Sequence, residues 1–400
     1  MNCGSAVTRE LLVDGCDHIE SLHELDALLR EKRAIHVKLG LDPTTSDLHL
    51  GHAVVLHKLQ QFVEGGHAVT LIIGDFTGRI GDPSGRNEMR PPLSEDQIRA
   101  NMTTYADQAG KVLDMERVSV RYNSEWLAKL SLSDLLRLLS QVTVARMLDR
   151  NDFSQRYLAN EPISLHEFLY PIAQAYDSIA INAEIELGGN DQLFNLLMGR
   201  QYQNWAGQRE QVCMTVPLLE GLDGQKKMSK TAGNFVGLAE DARTQFGKLM
   251  RIPDELIPRY ARLAAFRSEA DSLQLATALG NGQAHPMDEK KKLAQEIVTR
   301  YHGADEAHRA REYFEQTVQR RELPTHDVPE ITLGNAQRVS EVMVAAGLAE
   351  SKRAAERLIS GNGVKIDGIV VRDPRASWTA TAPATLSVGA RRFVRVLPNR

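Results

Sequence analysis

Residues 35–78, IHVKLGLDPTTSDLHLGHAVVLHKLQQFVEGGHAVTLIIGDFTG, decide the fold. Ile35 to Leu41 is a short apolar run broken by Asp42-Pro43, the pattern of a strand that ends in a turn. From His49 the apolar residues recur at helical spacing as far as Gly65-Gly66, a glycine pair suited to a C-terminal cap. Residues 68–78 then read as a buried strand. Strand, helix and strand at this spacing form a βαβ unit, which predicts a parallel sheet in an α/β protein.

Outward from this unit the signals thin. Leu22, Leu25, Leu28 and Leu29 recur at helical spacing, so the first 35 or so residues read as amphipathic helix. Residues 94–150 carry helical patterns. Residues 181–189 (INAEIELGG) and 211–220 (QVCMTVPLLE) read as further strands, and 240–322 as charged and mostly helical. Pro324 to Pro329 punctuate a linker. Residues 339–371 read as two helices followed by a hairpin.

Length and charge narrow the class. A chain of 400 residues favours two or three domains with a sizeable core. With 42% hydrophobic and 25% charged residues it is an ordinary globular mix, not a disordered or fibrous one. The net charge of −4 hides an asymmetry: residues 336–400 carry +6 and the rest −10. A positive tail on a negative body suggests a separate module for a polyanion. The three cysteines, Cys3, Cys16 and Cys213, are too few and scattered for a disulfide framework or a cysteine-rich zinc site, which suggests a reducing cytosol. No stretch approaches the ~20 apolar residues of a membrane span, and the first residues lack the pattern of a signal peptide.

Two motifs carry chemistry. His49-Leu50-Gly51-His52 opens the helix of the βαβ unit; HxGH is expected by chance only about 0.03 times in this composition. A helix start at the carboxyl edge of a parallel sheet offers N–H groups and a positive dipole end to phosphate. Two imidazoles there can donate to phosphate oxygens, and Gly51 leaves room for a flat base. The bland alternative is a pair of capping or packing histidines. Lys227-Met228-Ser229-Lys230-Thr231 follows a strand and a GLDGQ turn. Two lysines there suit a departing polyphosphate; the bland alternative is a solvated basic loop.

Together, HxGH early and KMSK late resemble the paired signatures of class I aminoacyl-tRNA synthetases. KLGLDPTTSDLHLGH, GDFTGRIGDPSG, EFLYPIAQAYD, ELGGNDQ and KKMSKT resemble the tyrosyl-tRNA synthetases among them, and the resemblance spans nearly the whole chain. It implies a Rossmann-type parallel-sheet catalytic domain over 1–240 with a dimerisation insertion, a helical domain over 241–323, a linker over 324–335 and a small C-terminal α+β RNA-binding domain over 336–400. It implies tyrosine activation by ATP with Mg²⁺, then transfer to the tRNA for tyrosine, by a cytoplasmic homodimer with no tightly bound protein metal site. His49, His52, Lys227, Lys230 and Thr231 take the catalytic roles. Asp42, Thr44, Gly51, Gly189, Asp191 and Lys230 take ATP. Tyr170, Gln174 and Asp177, at i, i+4 and i+7 on one helical face, take tyrosine with Asp82 and Gln192: Asp177 on the phenol hydroxyl, Tyr170, Gln174 and Asp82 on the ammonium group. Taken alone, that trio reads sooner as the polar face of an ordinary helix. In the tail, Lys352, Arg353, Arg357 and Lys365 take tRNA phosphate.

The chain departs from the family pattern at three points. Lys38 stands where many bacterial tyrosyl enzymes have a tyrosine that helps read the phenol. Leu39 replaces a cysteine that touches ribose, and Leu193 a common tryptophan. Three rivals compete with this reading. The first is a tryptophanyl enzyme, opposed by the tail and the tyrosine set. The second is another HxGH nucleotidyltransferase, usually shorter. The third is a non-catalytic RNA-binding protein on a synthetase body.

Overall fold

The computed structural model describes residues 8–44, 46–84, 94–319, 329–333, 336–389 and 392–398. The chain divides into two compact units, one of Met1–Asp241 with Lys248–Ile297 and one of Ala242–Gly247 with Val298–Arg400.

The first unit is built on a six-stranded sheet. Its strands are β1 (His18–Glu20), β2 (His36–Leu41), β3 (Ala68–Ile73), β4 (Val118–Tyr122), β5 (Ile185–Gly189) and β6 (Val212–Val216), in the order β1-β6-β5-β2-β3-β4. All neighbours are parallel except β1, which pairs antiparallel with β6. The central strands are near-continuous apolar runs with almost every residue buried, as strands covered on both faces must be. Helix α1 (Leu50–Glu64) follows β2 and returns the chain to β3, as the opening stretch predicts; it ends at Gly65, and Gly66 takes a φ of +78°. From β2 the sheet grows one way to β3 and β4 and the other way to β5 and β6. The topological switch point therefore lies between β2 and β5, and ligands bind outside the strand ends at such a point in open parallel sheets. Helices α2 (Leu169–Ala180) and α3 (Leu193–Trp205) flank β5 in sequence and pack closely on each other.

Two expectations are corrected. The first 35 residues are not one helix. They form a short helix at Arg9–Val13, then β1, then a helix at Leu22–Arg30. Gly15 at φ +77° breaks the run, and three residues suffice for an edge strand against β6. Residues 94–150 are not helical throughout either. They also contain β4, a five-residue edge strand in which Val118, Val120 and Tyr122 alternate with Ser119 and Arg121, a short pattern lying between helical ones.

In the second unit, strands β7 (Glu330–Leu333), β9 (Val364–Ile366), β10 (Ile369–Val370), β12 (Ala384–Val388) and β13 (Arg392–Pro398) form a sheet in the order β10-β9-β12-β13-β7. Strands β8 (Gln337–Arg338) and β11 (Ser377–Trp378) pair separately. Helices α4 (Val339–Ala345) and α5 (Lys352–Ser360) precede the β9–β10 hairpin, the predicted helix, helix, hairpin order. Val342, Met343, Ile359, Val364, Leu386 and Val394 are the heart of its own apolar core. The predicted linker lies partly outside the described residues, at 324–328 and 334–335. Within it, Glu330–Leu333 pairs in parallel with β13 as a strand; only Leu333 is fully buried, so its apolar signal is faint.

Candidate active site

One cavity at the strand ends is lined by all fifteen residues predicted to act in catalysis or to hold ATP and tyrosine, His49, His52, Lys227 and Asp177 among them. The four tail residues lie in the second unit. Lys352, Arg353 and Arg357 are exposed on α5 and Lys365 is exposed on β9. Lys352 donates to Glu341 at 2.8 Å.

His49 is the N-cap of α1 and His52 its third residue. The His49 backbone N–H donates to His52 Nδ1 at 3.2 Å, so the proton of a neutral His52 ring is on Nε2. The rings are 3.9 Å apart. Burial, followed by the charge of Lys227, lowers His52 to about 4; burial, His52 and Lys227 hold His49 well below the usual imidazole value. Both rings are therefore neutral at pH 7 and each offers one N–H. His49 Nδ1 is buried with no hydrogen-bond partner among the described residues, an arrangement that invites a ligand. A Cβ on Gly51 would lie 3.0 Å from the His49 ring, so glycine is what keeps the imidazole against the helix start.

The KMSK segment faces this helix start. Lys227 Nζ donates to Asp191 Oδ2 at 2.5 Å, and Lys230 Nζ pairs with Asp47. Buried Asn234 shapes the loop: its carbonyl accepts from Ser229 N at 2.8 Å and its amide donates to Asp223 at 3.0 Å. Both lysines rest on carboxylates within reach of the cavity, so an entering polyphosphate exchanges one set of anions for another.

Asp42, at the end of β2, accepts from Thr77 Oγ1 at 2.8 Å and from the Tyr170 hydroxyl at 2.9 Å. A Cβ on Gly74 would overlap Asp42 and Thr77, so this crossing requires glycine. Asp82 accepts from Ser84 N at 2.8 Å and Gln192 Nε2 at 2.8 Å. Burial alone would raise the Asp82 carboxyl. Arg150 and the donors of Ser84 and Gln192 outweigh it, holding Asp82 below the usual carboxylate range.

Asp177, 4% exposed, is the opposite case. It accepts from Trp126 Nε1 at 2.7 Å and Asn123 Nδ2 at 3.3 Å. Burial pushes it up to about 7, against the pull of Lys38 and those two donors. Lys38 does not line the cavity. It is buried beside Asp177's helix, 3.1 Å from Glu186 Oε1, and donates to Gln174 O at 3.3 Å. Glu186 also accepts from Gln174 Nε2 at 3.0 Å and Ser178 Oγ at 3.2 Å.

The sequence reading did not single out Asn123, Trp126, Arg150, Glu186, Asn195 or Asn234. A signal existed for Glu186: a charge inside the apolar run of β5, opposite Lys38 in the register of β2 and β5, marks a buried pair. The others are single polar residues in loops and helices, with no local pattern.

Comparison with known proteins follows the same outline. Residues 337–376 match the S4 domain. The tyrosine–tRNA ligase of Moorella thermoacetica is 47% identical over 398 residues, 98% of this chain and 96% of that one. That of Thermotoga maritima is 45% identical over 376 residues, 94% of each. Among solved structures, the tyrosyl-tRNA synthetase of Archaeoglobus fulgidus, complexed with L-tyrosine, aligns with a TM-score of 0.62 at 22% identity over 76% of this chain and 98% of that one. A C-terminally truncated mitochondrial tyrosyl-tRNA synthetase of Aspergillus nidulans gives 0.61 at 23% identity, over 76% and 91%. At that identity the structures speak for the fold alone. Residues 30–319 match the tRNA synthetases class I (W and Y), and the chain belongs to that family.

Proposed function

We propose that this chain is a tyrosine–tRNA ligase. It activates L-tyrosine with ATP to tyrosyl-adenylate and pyrophosphate, then transfers tyrosine to the 3′-terminal adenosine of its tRNA. The observation that carries the reading is Asp177: a buried acceptor, oriented by Trp126 and Asn123, in the same cavity as two neutral imidazoles and two lysines. A phenol hydroxyl supplies the donor such a carboxyl needs; a phenyl ring does not.

In the first step a tyrosine carboxylate oxygen attacks the α-phosphorus and the bond to the bridging oxygen breaks. The nucleophile is already ionised at neutral pH, so no general base is required. Rate enhancement comes from positioning and charge stabilisation. His49 and His52 donate to ATP phosphate oxygens, and Lys227, Lys230 and Thr231 follow the departing pyrophosphate. Asp42, Thr44, Gly51, Gly189 and Asp191 hold the nucleotide. Asp82, Tyr170, Gln174 and Gln192 hold the amino acid. Mg²⁺ enters with ATP; among the described residues no group of three His, Cys, Asp or Glu side chains is arranged to hold a metal ion. In the second step a terminal ribose hydroxyl of tRNA attacks the carbonyl and AMP leaves. Lys352, Arg353, Arg357 and Lys365 bind tRNA phosphate.

The division into catalytic, helical, linker and RNA-binding segments at 240, 323 and 335 belongs to this reading. So does a cytoplasmic homodimer. Among the described residues no helix is long and apolar enough to cross a membrane. Exposed large apolar side chains concentrate in residues 132–165, including Leu132, Leu136, Val144, Leu158 and Leu165. A second copy of the insertion is the occupant that the homodimer reading assigns to this surface.

Exchange of labelled pyrophosphate into ATP tests the activity. Exchange that requires tyrosine and is not supported by tryptophan or phenylalanine is the expected result. Good tRNA binding without any exchange would favour a non-catalytic RNA-binding protein instead.

A further inference from the structure

We propose that Arg150 is a positioning residue for the α-ammonium group of the amino acid, fixing both the carboxylate and the amides that receive it. The inference rests on the reading of Asp82 as the ammonium partner.

Arg150 is 5% exposed and caps the helix Asn151–Leu158 in the insertion between β4 and β5. It has no contact with the cavity of its own. Its Nη2 donates to Ser84 Oγ at 2.5 Å and lies 3.5 Å from Asp82 Oδ1. Its Nη1 donates to Asn195 Oδ1 at 2.9 Å, and its Nε is held by Asp152 at 2.8 Å.

Guanidinium has donors and no acceptor. Asn195 must therefore turn its oxygen to Arg150 and its amino group away. That amino group donates to Gln174 Oε1 at 2.9 Å and to Gln192 Oε1 at 3.0 Å. Both glutamines then have their amino groups committed outward, Gln192 to Asp82 and Gln174 to Glu186. The acceptor-only Glu186 at the far end agrees with the donor-only Arg150 at the near end. One cation thus sets the polarity of three linked amides, Asn195, Gln174 and Gln192. It also keeps Asp82 a carboxylate before the ammonium group arrives. Among the described residues, Tyr170, whose hydroxyl donates to Asp42, also interacts with Asp82, and Asp152 holds Arg150 from its Nε side.

The test is pyrophosphate exchange by the full chain at neutral pH, with Arg150→Met and Arg150→Lys, read as KM for tyrosine against KM for ATP. Arg150→Met should raise KM for tyrosine at least tenfold and leave KM for ATP within about twofold. Arg150→Lys restores the charge but not the two-pronged hold on Ser84 and Asn195. It should leave KM for tyrosine raised, between wild type and Arg150→Met, with KM for ATP again within about twofold. If Arg150→Met does not fold, Arg150→Lys carries the test alone. Equal changes in both KM values, or an unchanged tyrosine KM in either variant, would overturn the inference. Wild-type chain without tyrosine-dependent exchange would instead remove the reading on which it rests.

Discussion

Asp82 and Asp177 line one cavity, both largely withdrawn from water, yet their environments move them in opposite directions. Asp82 has a guanidinium nearby and accepts a backbone N–H and an amide N–H, so it is held ionised. Asp177 also has donors, but the nearest cation, Lys38, is shared with Glu186, and burial prevails. The difference matches what each end has to bind. An α-ammonium group is a cation at neutral pH and is matched by a carboxylate that is ionised there. A phenol is a neutral donor, and an acceptor of raised proton affinity binds it well without holding a full uncompensated charge. Burial does not fix the state of a carboxylate; the number of cations available to it does.

The sharpest way to break the comparison is to remove the shared cation. Lys38→Met leaves Glu186 and Asp177 buried without it. Losing one partner of a buried pair costs about 3–5 kcal/mol, so urea unfolding of the first unit should shift by roughly that amount. The acid limb of tyrosine activation should also move to higher pH. Unchanged stability would show that Lys38 does not hold the pair.

Asp177→Ala comes next. A hydrogen bond to a charged group contributes about 1.5–3 kcal/mol, so kcat/KM for tyrosine should fall by roughly ten- to a hundredfold. Phenylalanine, which never made that bond, should change little, and selectivity should collapse. Parallel loss for both amino acids would remove Asp177 from phenol recognition. The matching change at the ammonium end, Asp82→Ala, should instead weaken both amino acids alike.

Stability against pH sharpens the contrast through its sign. Asp82 is lowered on folding, so its contribution is present above the usual carboxylate range and is lost as pH falls through it. Asp177 is raised to about 7, so the folded chain holds a proton that the unfolded chain releases. Its contribution is therefore lost as pH rises from the usual carboxylate value to about 7. Asp177→Asn should gain on wild type across that window by at most about 1.4 kcal/mol per pH unit, read by urea unfolding at pH 5, 6, 7 and 8. A gap that stays constant would mean Asp177 is an ordinary carboxylate.

These residues also mark how far the sequence could be read. HxGH and KMSK are contiguous, and Tyr170, Gln174 and Asp177 share one helical face, so local spacing was enough to nominate them. The central βαβ unit was legible for the same reason. Arg150, Trp126, Asn123 and Asn195 come from separate segments and meet only in the folded chain, where each answers a buried group's need for a partner. Lys38 stood out as a departure from the family pattern, but its partner Glu186 is 148 positions along and is paired to it only by sheet register. Strand β1 escaped because three residues are too few to show a period, and β4 because its five-residue alternation of Val118, Val120 and Tyr122 with polar residues lies between helical patterns.

The smallest effects belong to the tail, and the reason is the same comparison carried outside the cavity. Arg353 and Arg357 are exposed, i and i+4 on α5, and an exposed charge meets phosphate without losing much water. Each contact adds salt-dependent affinity and little else. Arg353→Ala and Arg357→Ala should therefore raise KM for tRNA only a few-fold each. Each should reduce the slope of log affinity against log salt by about one, while tyrosine-dependent pyrophosphate exchange is unchanged. Lys352, already paired with Glu341, should matter less than either. If one arginine abolished charging or altered exchange, it would be acting as a buried determinant in the manner of Asp177, and the tail would not be the diffuse electrostatic surface its +6 charge describes.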